Sequence, residues 1–292
     1  MRELFIKQLV KEAEKNKKII LIVGDLGYGV VEPFKIKFPD RFYNAGVAEQ
    51  SMAGLASGLA LKGYHVFIYS IANFSTFRCA EQIRNDIDYH NLSVTIVSVG
   101  SGVGYGNLGY SHHCLQDYAL LRSLPNTVIA APSNNQELIE SLKYLFNNPQ
   151  SSYLRLDKSL NINSIKKVPL IKPGKWIFYK NKKSKNIIIS TGTVAANCES
   201  ILKSKSSYNW ATIPMWSMQS KRLQFKKIKK YRNIITIENH LQDGGFGSWL
   251  NESLAQEEND YSKTNIISKF LSSKIVGKVG NEEYLNKKYG IK

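Results

Sequence analysis

NAGVAEQSMAGLASGLAL occupies residues 44–61, and its reading decides what the rest of the chain has to be. Between Val47 and Leu61 the residues Met52, Leu55, Ala56, Leu59 and Ala60 recur at i, i+3, i+4, i+7 and i+8, one apolar stripe of a helix that Gly63 stops. Glu49 stands three residues before Met52, on the same face and one turn from the helix start. A glutamate there complements the helix dipole, worth ~0.3–1 kcal/mol. It has a second use at the mouth of an apolar seam: a carboxylate taken out of water can hold or share a proton near neutral pH, and so serve a ring nitrogen. Gly54 and Gly58 leave room for another backbone, or another chain, to approach this helix.

Outward from this helix, short apolar runs alternate with stretches of helical period, the pattern of parallel α/β domains. Strands are expected at Ile19–Val23, Val66–Tyr69, Val94–Val99 and Val128–Ala131, with helices at Val47–Leu61, Ser75–Tyr89 and Asn135–Phe146. A second alternation follows Lys185. It has strands at Ile187–Ser190, Ile234–Glu238 and Ile266–Ile267 and helices at Ala195–Lys203 and Phe246–Gln256. Asn161–Lys185, rich in Lys, Asn, Pro and Gly, reads as a linker. The fold class is therefore α/β: two consecutive doubly wound domains, 1–160 and 186–292, joined through 161–185.

Among 292 residues, 40 Lys and Arg against 23 Asp and Glu leave a formal charge of +17. The basic residues are mostly lysines scattered through polar stretches, with no zinc-finger spacing or basic helix, so no nucleic-acid partner is expected. Cys79, Cys114 and Cys198 are odd in number and far apart, which suits a reducing compartment. Met1–Lys18 is charged from its second residue and has no apolar run before a cleavage site. No stretch is apolar enough to span a membrane, so a soluble cytoplasmic protein is expected. The letters of a dinucleotide fingerprint occur in Gly104–Gly109, but polar residues follow instead of an apolar helix. His112, His113 and Cys114 lack a second ligand pair at usable spacing, so no zinc site is expected.

Asn44-Ala-Gly-Val-Ala-Glu49-Gln50 before an Ala/Gly/Leu helix resembles the pyrimidine-binding domain of thiamine-diphosphate enzymes, transketolase being the nearest family. The resemblance runs over nearly the whole chain. It takes in Gly24-Asp25-Leu26, Glu81-Gln82-Ile83-Arg84, Ser111-His112-His113 with Asp117, Ala131-Pro132-Ser133, Ile237-Glu238-Asn239-His240 and Gly244-Gly245-Phe246-Gly247. It implies a pyrimidine-binding domain followed by a transketolase C-terminal-like domain. It further implies that Glu49 hydrogen-bonds N1′ of the cofactor's aminopyrimidine, favouring the imino tautomer that takes the thiazolium C2 proton. Phe74 matches the ring-stacking phenylalanine, with Phe77 and Tyr69 nearby and Ile71 where a companion aromatic often stands. Asp25 joins Glu49, Phe74 and Phe77 as an implied cofactor contact. His112 matches the histidine near the reacting carbon, and Lys158 falls near a phosphate-binding arginine.

The chain departs from the family at three places. Gly106-Asn107-Leu108-Gly109 replaces a Gly-Glu-Asp-Gly stretch whose aspartate recognises a substrate hydroxyl; Gly100 takes the place of a further histidine; Gly29 falls near a phosphate-contacting serine. The Gly-Asp-Gly and downstream Asn that hold the diphosphate through Mg2+ or Ca2+ are missing. The resemblance thus implies a separate amino-terminal transketolase subunit that brings these ligands and meets Glu49 across an interface, in a heterotetramer or around a homodimer of this chain. The implied activity is transfer of a two-carbon ketol unit from a ketose to an aldehyde, with a small sugar as substrate. Three alternatives stay open: the beta subunit of a 2-oxoacid dehydrogenase, a synthase condensing pyruvate with a sugar aldehyde, and a non-catalytic scaffold paralogue, to which Leu108 and Gly100 lend support.

Overall fold

The computed structural model describes residues 1–157, 168–255 and 264–291. Lys158, assigned to substrate binding above, lies outside them. The strands are β1 (Ile19–Val23), β2 (Phe42–Asn44), β3 (His65–Ile71), β4 (Val94–Val99), β5 (Val128–Ala130), β6 (Ser152–Leu156), β7 (Ile177–Lys180), β8 (Asn186–Ser190), β9 (Asn209–Thr212), β10 (Met215–Trp216), β11 (Asn233–Ile237) and β12 (Asn265–Lys269). They form a seven-stranded sheet in the order β10-β5-β6-β4-β3-β1-β2 and a five-stranded sheet in the order β12-β11-β8-β9-β7. Pairing is parallel throughout except at β10 and β7, each antiparallel at an edge.

Why the first sheet is doubly wound can be read from β1, whose five residues are all buried. Ile20 and Ile22 join the core beneath Met52, Ala53 and Ala56. Ile19, Leu21 and Val23 join the opposite core, with Phe5 and Leu9 of helix Arg2–Lys15 and Leu138 and Leu142 of helix Asn135–Asn147. Period-two alternation between two apolar faces requires helices on both sides. The first core continues into the second sheet through Ile187, Ile189, Ile234, Trp216 and Trp249.

Three expectations need correction. The 161–185 segment is not simply a linker. Residues 161–167 lie outside the description, and Ile177–Lys180 pairs with β9 as an edge strand, anchored by the buried Trp176, whose indole donates to Gln224. The helix expected over Ser75–Tyr89 is broken into Ala72–Ser75, a 3₁₀ turn Phe77–Cys79, Ala80–Gln82 and a π-helical stretch Ile83–Asp88. Thr76, at φ −121° and ψ −80°, interrupts it. The helix at Glu49–Leu61 buries Met52, Ala53, Ala56, Ser57 and Ala60, whereas Leu55 is 45% exposed. The buried face is therefore turned toward the small residues, and Leu55 points away from the core.

Candidate active site

Four strands of the first sheet deliver the candidate residues at their carboxyl ends. Gly24 and Asp25 follow β1, Glu49 follows β2, Phe74 and Arg78 follow β3, and the loop holding His112 follows β4. The chain moves from β1 to β2 on one side and returns to β3 on the other, so the cluster lies at the switch point, where open α/β sheets form crevices.

Glu49 is the first residue of its helix, and its side chain is fully buried. Oε1 accepts from the Ser70 hydroxyl at 3.1 Å and Oε2 from Arg78 Nη1 at 2.6 Å. The absence of a side chain at Gly24 makes room for this carboxylate, since a Cβ there would lie 3.2 Å from Glu49 Oε1 and 3.3 Å from Ser70 Oγ. The Arg78 guanidinium also lies over the Phe74 ring, 4.1 Å from its centroid. Phe74 in turn meets the His112 ring edge-on, with centroids 4.9 Å apart. Glu49, Arg78, Phe74 and His112 thus make one continuous row of contacts.

His112 Nδ1 is paired with the Ser111 hydroxyl at 2.9 Å, and Ser111's carbonyl accepts from Asn73 at 2.9 Å. Nε2 has no hydrogen-bond partner among the described residues. Partial burial, then the nearby Arg78 charge, hold the imidazole pKa below its ordinary value, so the ring is neutral at pH 7 and can either donate or accept a proton. Asp25 sits one residue beyond Gly24 in the left-handed region at φ 54°. It accepts from Asn44 at 2.9 Å and Tyr28 at 2.7 Å, and those bonds hold its pKa below the usual carboxylate value. Phe77, next to Arg78 in sequence, is 45% exposed. At Gly100, φ is +88° and a Cβ would overlap the Tyr105 ring, so Tyr105 fills the space a side chain at residue 100 would need.

Sequence reading missed Arg78 and the network that ties the His112 loop down. Arg155 on β6 grips Asp117 with Nε at 2.8 Å and Nη2 at 3.2 Å, while Tyr153 donates to the same carboxylate at 2.7 Å. Arg155 also donates to the carbonyls of Cys114 and Asn239, so one side chain joins the loop to the second half of the chain. Burial opposes charge on Asp117, but Arg155, His240 and Tyr153 outweigh it and keep its pKa low. Glu238 is a different case. Burial pushes its pKa up to about 7 even though Phe246 and Gly247 donate backbone N–H groups to it. A Cβ on Gly245 would overlap this carboxylate and one on Gly244 would overlap Ala119, which explains the two glycines before Phe246.

Fold and cleft together define a doubly wound α/β protein with a buried acid and an aromatic face at its switch point. The chain belongs to the transketolase family: residues 1–162 match the family model described as "Transketolase, pyrimidine binding domain". It is 30% identical to a "Putative transketolase C-terminal section" of Methanocaldococcus jannaschii, over 100% of this chain and 92% of that one. It is 32% identical to the 1-deoxy-D-xylulose-5-phosphate synthase of Halothermothrix orenii over 88% of this chain, which spans only 41% of that enzyme. A solved structure described as "Split gene transketolase, inactive beta4 tetramer" superposes with a TM-score of 0.82 at 27% identity, covering 99% of this chain and 93% of that one.

Proposed function

We propose that this chain is the carboxy-terminal subunit of a split, thiamine-diphosphate-dependent transketolase that moves a two-carbon ketol unit from a ketose to an aldehyde. The observation that carries this reading is the fully buried Glu49 carboxylate, set beside an aromatic face and a neutral histidine. The residues fit the cofactor's pyrimidine, because the space between Phe74 and Glu49 already accepts a flat N–H donor, the Arg78 guanidinium. Thiamine diphosphate, when bound, supplies an electron sink for a carbanion. Glu49, fixed by its helix and by Ser70, offers an acceptor to a ring nitrogen out of water. Phe74 supports the ring face, and His112 Nε2 exchanges a proton with a substrate oxygen.

Among the described residues no group of three or more His, Cys, Asp or Glu side chains is placed to hold a metal. In this reading Mg2+ or Ca2+ and the diphosphate are held by a separate amino-terminal subunit. The names of two of the proteins it resembles, a C-terminal section and a split-gene transketolase, support that division. Among the described residues no helix is long and apolar enough to cross a membrane.

The test is to mix purified chain with the amino-terminal subunit and follow ketose consumption with and without thiamine diphosphate. Turnover is expected only from the mixture, and full activity from this chain alone would refute the division. Glu49→Ala is expected to cut turnover by about 10²–10⁴-fold with assembly intact; unchanged turnover would point to a scaffold. The likeness to a deoxyxylulose-phosphate synthase favours a second reading, condensation of pyruvate with a sugar aldehyde. Carbon dioxide release in the same assay distinguishes it.

A further inference from the structure

Among the described residues Arg78 is the cation paired with Glu49, and it approaches the carboxylate from over the Phe74 ring. Its guanidinium is planar, carries N–H donors, lies 4.1 Å from the Phe74 centroid and donates to Glu49 Oε2 at 2.6 Å. Those are the two interactions, a stacking face and a carboxylate acceptor, that an aminopyrimidine would need. We propose that Arg78 is a built-in stand-in for the pyrimidine, seated in its place in the cofactor-free chain and displaced when the ring enters. This rests on the reading of Glu49 as the pyrimidine-binding acid.

The physical need for a stand-in comes from burial. A carboxylate with no exposed surface and only a serine hydroxyl beside it is costly, because desolvation of the charge is not offset. The guanidinium answers that charge until another donor arrives. Arg78 can leave: its side chain is 39% exposed, while that of Glu49 is 0% exposed. It lies in the short 3₁₀ turn Phe77–Cys79, just after the break at Thr76, rather than within a continuous helix. Glu49 therefore stays in place while its partner changes, and cofactor binding is an exchange of donors on a preformed acceptor.

Exchange makes cofactor affinity depend on Arg78 in an unusual direction. The experiment is calorimetric titration of thiamine diphosphate with Mg2+ into the complex of the full chain with the amino-terminal subunit, using wild type, Arg78→Ala and Arg78→Met. Methionine keeps the apolar stem without the planar cation. Both variants are expected to bind about tenfold more tightly than wild type, about 1.4 kcal/mol. Their cofactor-free chains are expected to melt below wild type, with the deficit gone once cofactor saturates the complex. Unchanged or weaker binding by both variants, while wild type binds, overturns the stand-in and makes Arg78 a ligand or a bystander. No binding by wild type or by either variant overturns the pyrimidine reading of Glu49, and the proposal with it.

Discussion

Glu49 and His65 are both buried and titratable, and they show how differently a neighbour set can use burial. Glu49 has a guanidinium and a hydroxyl, which together answer its buried charge. His65, at the opposite end of β3 from Ser70, is paired among the described residues with the Thr95 hydroxyl at 2.9 Å and packs on Phe67 with ring centroids 4.4 Å apart. Its Nδ1 is buried without a partner among the described residues. Burial lowers its pKa from 6.5 to about 4. Because the folded value lies below the unfolded one, the neutral ring's contribution is fully present above pH 6.5 and disappears as pH falls toward 4. The shift corresponds to roughly 3 kcal/mol. Urea-denaturation midpoints followed from pH 7 to pH 4 should fall steeply for wild type and less steeply for His65→Gln. His240, also lowered to about 4 by burial, keeps the remaining slope. Equal slopes for the two proteins would refute the assignment.

At the scale of elements, β6 is the instructive strand. All five of its residues are buried, yet Ser152-Tyr-Leu-Arg-Leu156 contains an arginine and no long apolar run, so sequence reading passed over it. The strand is tolerable only because Asp117, 38 positions earlier, meets Arg155 in a bidentate pair. Periodicity is local, and such a partner is not. β1 and β4 were legible to the residue because Ile19–Val23 is a continuous apolar run and Val94–Val99 an apolar run broken only by Thr95 and Ser98. Glu49, Phe74 and His112, named through the resemblance, come together in one row of contacts. Arg78 was not legible, since nothing in its spacing says that it folds back on Glu49. Helix Arg2–Lys15 was read only for its charge, although Phe5, Ile6, Leu9 and Ala13 make a buried stripe. The Arg155 pair carries its own expectation. Arg155→Met leaves Asp117 charged and buried, and should cost about 3–5 kcal/mol in urea unfolding. Arg155→Met with Asp117→Leu should recover part of that loss. A single variant as stable as wild type would mean that the pair does not hold the loop.

For the whole molecule, the proposed function asks which surface an amino-terminal subunit would cover. The two sheets are not independent, since Met215 and Trp216, beyond the start of the second sheet, pair with β5 of the first and one apolar core runs through both. That leaves the outside of the Glu49 helix. Gly54 and Gly58 have nothing within 4 Å of a built Cβ, Leu55 and Leu61 are 45% and 67% exposed, and Val47 just before the helix is 70% exposed. No charged residue interrupts this strip between Glu49 and Lys62, in a chain with a formal charge of +17. An uncharged apolar strip beside the buried acid is the kind of surface that association covers. Gly54→Leu separates the two roles of this face. In the chain alone the added side chain meets no neighbour, and replacing a helical glycine should leave stability unchanged or raise it by up to about 1 kcal/mol. In the mixture with the proposed amino-terminal subunit the same side chain would stand in the way of a partner docking on this face. Sedimentation of the mixture should then show assembly weakened at least tenfold while the unfolding midpoint of the chain holds. Assembly and thiamine-diphosphate-dependent turnover at wild-type levels would mean that the second polypeptide reaches Glu49 from another side.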